Sequence, residues 1–254
     1  VWLLPGIWLQ GLFAVAALIA AWEWAGLSGL EGVVERLVYL VVLGGLLIGL
    51  STIDAAASQA WLIPGLLWWL AIAVWVLAQA RRGECYRLPP WLAALAGLIT
   101  LALAWLGIVA VHSLPVSGPF WVTMLMVLVW GADIGAYFAG RRFGKHKLAA
   151  AISPGKTWEG VMGGLALGLL MAVVLQLAAA PQLPELPGLG WLLPVATMVI
   201  ALSVIGDLAE SVLKRQADRK DSGQLLPGHG GMLDRIDALL AAAPVLAAAL
   251  MRVG

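Results

Sequence analysis

Asp207, Glu210, Ser211 and Lys214 recur at i, i+3, i+4 and i+7, which places two carboxylates, a hydroxyl and an ammonium on one face of a helix. Asp133 stands near the end of another apolar stretch, and Asp221, Asp234 and Asp237 follow the first face closely in sequence. Six carboxylates at one level of a structure cannot all stay ionised without cations beside them. A divalent metal with oxygen ligands is the natural partner for such a group. Singly, Asp207 or Glu210 could do no more than pair with Lys214 or Arg215. The whole group asks for more positive charge than that.

Residues 221–235 read DSGQLLPGHGGMLDR. Gly228, Gly230 and Gly231 around His229 let backbone approach a ligand closely, and such turns can aim several N–H groups at a phosphate. Lys214, Arg215, Arg219, Lys220 and Arg235 add positive charge, and arginine forks suit phosphate oxygens. Acidic metal ligands beside basic phosphate clamps are the equipment of phosphoryl and nucleotidyl transfer. A basic loop drawn to anionic lipid heads would explain the Lys and Arg but not the interleaved Asp residues.

A second stretch, 130–160, has similar features. Asp133 and Tyr137 lie one helical turn apart, Gly140 and Gly144 loosen a helix end, and Ser153, Lys156 and Thr157 surround a Pro154–Gly155 turn. The run SPGKT lacks the spacing and the preceding strand of a P-loop, so that reading is rejected, while Lys156 is retained as a phosphate contact. His229 reads as a binding residue before a base; His112 and His146 read as surface or internally satisfied. Cys85, the single cysteine, excludes an internal disulfide and reads as an inert thiol. Glu23 lies inside an apolar stretch, and the sequence assigns it no role.

The elements that must hold these residues are membrane helices. Of 254 residues, 62% are hydrophobic and 11% charged, against about 25% charged in an average soluble domain. A soluble core could not hide that much apolar surface. The net charge of +1 gives no reason to expect a nucleic-acid partner. Eight windows can span a bilayer: 7–25, 37–53, 61–80, 91–111, 119–139, 159–180, 191–213 and the short, alanine-rich 236–252. Trp61, Trp91, Trp121 and Trp191 stand near window starts, where interfacial aromatics belong. The connections 26–36, 81–90, 140–158 and 214–235 carry 14 of the 15 Lys and Arg, and the positive-inside rule makes that side cytoplasmic. The expected fold is an all-α, polytopic helical bundle forming one domain. Val1 would then stand on the outer side, so a cytoplasmic start implies one further helix before it.

With these motifs in view, Ser203 to Asp237 resembles the signature of the phosphatidate cytidylyltransferases, also called CDP-diacylglycerol synthases. The resemblance rests on Ser211, Lys214–Arg215, Lys220–Asp221, the PGHGG turn and the closing Asp234-Arg235-Ile236-Asp237. The stretch 130–160 is similar to the family's other shared segment, and residues 20–29 are similar to bacterial members. The resemblance implies transfer of CMP from CTP to phosphatidate, giving CDP-diacylglycerol and pyrophosphate with Mg²⁺, for phospholipid biosynthesis. It also implies a bacterial inner-membrane homodimer of about nine helices, with a monovalent cation such as K⁺ near the Mg²⁺. Asp207 and Asp234 become metal ligands, and Asp221 a further candidate. Lys214 and Arg215 join them as catalytic residues. Asp133, Tyr137, Ser153, Lys156, Thr157, Lys220, His229, Gly230, Gly231 and Arg235 become substrate-binding candidates. An ion-coupled carrier would put its charges near the membrane midplane between repeats, a pattern this sequence lacks. A related enzyme using CTP with a different lipid acceptor would share the nucleotide site.

Overall fold

The computed structural model describes residues 6–53, 60–82, 86–223 and 230–251. Among them are eight α-helices and one short hairpin. The helices are α1 (Gly6–Leu27), α2 (Val33–Ser51), α3 (Leu62–Arg82), α4 (Pro90–His112), α5 (Gly118–Phe143), α6 (Trp158–Ala179), α7 (Leu189–Gln216) and α8 (Leu233–Leu250). The first seven are long and apolar enough to cross a membrane. Their apolar residues also face outward. Val34, Val38, Val41 and Ile48 of α2 are all exposed, the reverse of a soluble amphipathic helix.

The eighth helix differs from the rest. It is 18 residues long, has charged residues in its first turn, and every residue from Ala238 to Ala247 is buried. It is packed by α7, α4, α3, α5 and α1, so it forms the axis of the bundle rather than a lipid-facing span. Its small side chains explain how so many neighbours fit. At Gly107 of α4, an added Cβ would run into the backbone of Ala243 and Pro244, so the two helices meet backbone to backbone. Pro244 is tolerated there because neighbouring helices enclose it.

Helices α5 and α6 make another close pair. Gly160, Gly164, Gly168 and Ala172 form a buried stripe at four-residue spacing on α6. A Cβ on Gly135 would strike the Gly163 carbonyl, and one on Gly164 would strike the Ala132 carbonyl. This small-residue seam is how helices approach in lipid, where no hydrophobic force drives them together. It holds the end of α5 and the start of α6 side by side.

Two expectations are corrected. The 140–158 connection is not a plain loop: β1 (Lys147–Ala149) and β2 (Ser153–Thr157) pair antiparallel, with Lys147 opposite Thr157 and Ala149 opposite Ser153. The SPGKT run is therefore an extended strand, and Pro154 is accepted because a two-stranded sheet is all edge. Helices α2, α5 and α7 also run past their expected ends, so Arg36, Arg141, Lys214 and Arg215 lie on helices rather than in connections. In α2 the early start is fixed by Glu35, which accepts from the Gly32 N–H at 3.2 Å.

Gly135→Leu is expected to overpack the α5–α6 seam and lower stability by about 1–3 kcal/mol. Gly45→Ala, at a position where an added Cβ meets nothing within 4 Å, is the control. Thermal unfolding in detergent should show a lower midpoint for the first variant and not for the second.

Candidate active site

The start of α8 lies inside the bundle, so its leading N–H groups need acceptors from the protein. Met232, just before the helix, has no side chain that can cap it. The acceptor comes from α1, 210 residues away: Glu23 Oε2 accepts from Leu233 N at 2.8 Å, and Oε1 accepts from Met232 N at 3.0 Å. Glu23 is 5% exposed. A carboxylate suits this position because it meets both free donors and the positive end of the helix dipole. Glycines at 223 and 231 make room for it, since a Cβ on either would collide with the Glu23 carboxylate.

Ser222 extends the contact. Its Oγ lies 3.1 Å from Glu23 Oε2 and 2.9 Å from Asp234 Oδ2. Asp234 Oδ2 also accepts from Ser222 N at 3.0 Å and from Gly231 N at 2.8 Å. Gly230 has φ of 82°, the left-handed conformation glycine adopts readily, and it turns the chain into this arrangement. The other oxygen of Asp234 accepts from Lys214 Nζ at 2.7 Å, and Lys214 also donates to Glu210 at 2.6 Å. Helices α1, α7 and α8 are thereby joined through one continuous polar node.

Beside the node, Asp207, Glu210 and Asp237 converge. Each offers a carboxylate oxygen, and those atoms lie within 4.8 Å of one another. Gly206 makes this possible: a Cβ there would press on the Asp237 carbonyl, so α7 and α8 cross closely at that level. Glu210 is 1% exposed, and its Oε1 has no hydrogen-bond partner. A buried carboxylate oxygen left unmatched amid other acids fits a cation with oxygen ligands. Lys156, projecting from β2, forms an ion pair with Asp207. A cavity of about 220 Å³ adjoins the pair and is lined by Asp133, Tyr137, Gly140, Thr157 and Ser203.

Residues 1–253 match the cytidylyltransferase family. The chain belongs to that family. It is 42% identical over 254 residues to the phosphatidate cytidylyltransferase of Pseudomonas aeruginosa, covering 99% of this chain and 91% of the relative. The Haemophilus influenzae phosphatidate cytidylyltransferase is 35% identical over 244 residues, covering 90% and 84%. A 155-residue match to the Bacillus subtilis phosphatidate cytidylyltransferase is 41% identical, covering 59% and 56%.

In this cytidylyltransferase the two stretches singled out in the sequence meet through Lys156 and Asp207. The acids grouped with Asp207 differ from the expected Asp234 and Asp221. Asp234 is surrounded by donors, and Asp221 is exposed on a separate cavity near α1, together with Lys220. Glu210 and Asp237 take the neighbouring positions instead. Arg215 donates from Nε to the Ile152 carbonyl at 3.2 Å, tying the hairpin to α7. Thr157 caps α6 by accepting from Gly160 N at 3.1 Å. Tyr137 accepts from Arg141 at 2.8 Å. Ser153 is the first residue of β2, Gly230 and Gly231 lead into α8, and Arg235 is exposed on its first turn. His146 is satisfied by Glu159 at 2.6 Å. Gly228, His229 and Cys85 fall outside the described residues.

Sequence reasoning missed Glu23 and Ser222. The signal for Glu23 was present, since it is an acid within an otherwise uncharged 22-residue span, where an ionisable group is costly unless matched. Glu23→Ala is expected to leave the Met232 and Leu233 N–H groups unmatched and to lower stability by about 1–3 kcal/mol. Thermal unfolding in detergent reads the loss, and Glu23→Gln, which retains one acceptor oxygen, should lose less.

Proposed function

We propose that this chain is a phosphatidate cytidylyltransferase that moves CMP from CTP onto the phosphate of phosphatidate, releasing pyrophosphate. The reading is carried by the Asp207–Glu210–Asp237 group with Lys156 and Lys214 against it, in a chain matched end to end by the family. Paired acids and lysines of this kind suit a reaction whose difficulty is the meeting of two anions.

The acceptor already carries its nucleophilic oxygen as an anion, so no strong general base is needed. Its attack at the α-phosphorus forms a new P–O bond while the bond to the β-phosphate oxygen breaks. Lys156 would leave Asp207 to meet a phosphate oxygen in the 220 Å³ cavity, within reach of Gly155 and Gly160 backbone. Lys214 would hold charge at the node, fixed in direction by Asp234 and Glu210. Asp207, Glu210 and Asp237 would hold Mg²⁺, which supplies Lewis-acid neutralisation of the phosphates. The one-sided charge supports a cytoplasmic site: nearly all Lys and Arg lie at the ends that carry it, which suits a cytosolic nucleotide.

Asp207→Asn and Asp237→Asn are each expected to lower the rate of CMP transfer at least about 100-fold. Mg²⁺ should raise the thermal midpoint of the wild type but not of Asp237→Asn. A folded Asp237→Asn protein with the normal rate and the normal Mg²⁺ response would remove the metal assignment.

A further inference from the structure

Two arginines meet over one glycine at the inner end of α1. A Cβ placed on Gly26 would lie 2.8 Å from a terminal nitrogen of Arg36 and 3.4 Å from one of Arg219. The two cations, one from α2 and one from the connection after α7, thus face the same point in space. Arg36 is oriented by its own Nε, which donates to the Leu30 carbonyl at 2.9 Å, and by the Trp22 ring, 5.2 Å from its guanidinium. Among the described residues neither arginine forms an ion pair. Like charges held together repel, and an anion between them reverses the sign of that interaction.

A cavity of about 720 Å³ opens beside them. Lys220 adds a third cation to its wall. Of its two acids, Glu23 is already matched by Ser222, Met232 and Leu233, which leaves Asp221 against three positive groups. The apolar part of its wall is built from Trp22 and Ile19, one and two turns further into the span of α1 than Gly26. Positive charge at the interface with an apolar wall toward the membrane matches an amphiphile with an anionic head. Ser222 lines this cavity and bonds to Asp234, which bonds to Lys214, so its floor is the polar node itself.

We propose that this cavity binds the phosphate monoester of an anionic lipid, with Arg36 and Arg219 as a two-armed clamp and the Ile19–Trp22 wall beside its chains. The assignment rests on the reading of the chain as an enzyme acting on phosphatidate, and it gives that lipid a site apart from the Asp133–Lys156–Asp207 cavity. Arg36 becomes a substrate-positioning residue outside both signature stretches.

The test uses the full chain in detergent micelles, as wild type, Arg36→Gln, Arg219→Gln and Arg36→Lys. Binding is read as the rise in thermal midpoint on adding phosphatidate, against phosphatidylcholine and against Mg²⁺–CTP. The proposal expects the phosphatidate increment to shrink in both Gln variants and to return in Arg36→Lys, with the CTP increment unchanged. It also expects the apparent KM for phosphatidate to rise about tenfold in Arg36→Gln, with KM for CTP within about twofold. Loss of the CTP increment instead would mean the clamp serves a nucleotide phosphate and overturn the proposal, as would phosphatidate increments equal in all four proteins. A wild type that binds phosphatidate through Arg36 but transfers no CMP would sink the enzymatic reading alone. An active wild type with unaffected Gln variants would sink only the clamp.

Discussion

Helix α8 begins against buried residues of the bundle, and the Glu23 carboxylate of α1 accepts from its leading N–H groups. That contact draws α1 onto α8, seats Ser222 between them, and leaves Asp234 free to turn its other oxygen to Lys214 of α7. Helix α1 and the consecutive pair α7 and α8, distant from it in sequence, are fixed at one level by hydrogen bonds to charged groups, which are stronger than neutral ones and stronger still away from water. The glycines at 223 and 231 follow from the same constraint, because a side chain at either would occupy the carboxylate's place.

A second constraint is close packing without hydrophobic drive. The glycine seam between α5 and α6 and the Gly107–Pro244 crossing bring backbones into contact where larger residues could not fit. The seam has a chemical consequence. It aligns the end of α5 with the start of α6, the hairpin connects them, and Arg215 ties that hairpin to α7. Lys156 is thereby delivered to Asp207. An acid group on α7 and α8 thus acquires a cation from an element more than forty residues earlier in the chain.

Much of this was legible in the sequence. Apolar windows marked eight helices, because lipid leaves few alternatives for a long apolar stretch. The i, i+3, i+4, i+7 spacing from Asp207 to Lys214 gave the correct face of α7, since a helix fixes that geometry locally. The choice of Asp237 beside Asp207, with Asp234 turned to Lys214, was not legible. It depends on how α8 is rotated against α7, which the close approach at Gly206 determines and no local pattern encodes. Glu23 was visible as an oddity but its partners lie 209 and 210 residues away. The hairpin escaped notice because three- and five-residue strands carry too little periodicity to read.

The node that joins α1, α7 and α8 has one proposed chemical task, transfer of a nucleotidyl group to a lipid phosphate. The most direct measurement supplies the purified chain with CTP labelled at the α-phosphate, or separately at the γ-phosphate, together with phosphatidate, diacylglycerol or an isoprenoid alcohol. The α-label is expected to enter the lipid phase with phosphatidate alone, and the γ-label to leave as pyrophosphate. Label entering another acceptor in preference to phosphatidate, or γ-label appearing in lipid, would contradict that assignment.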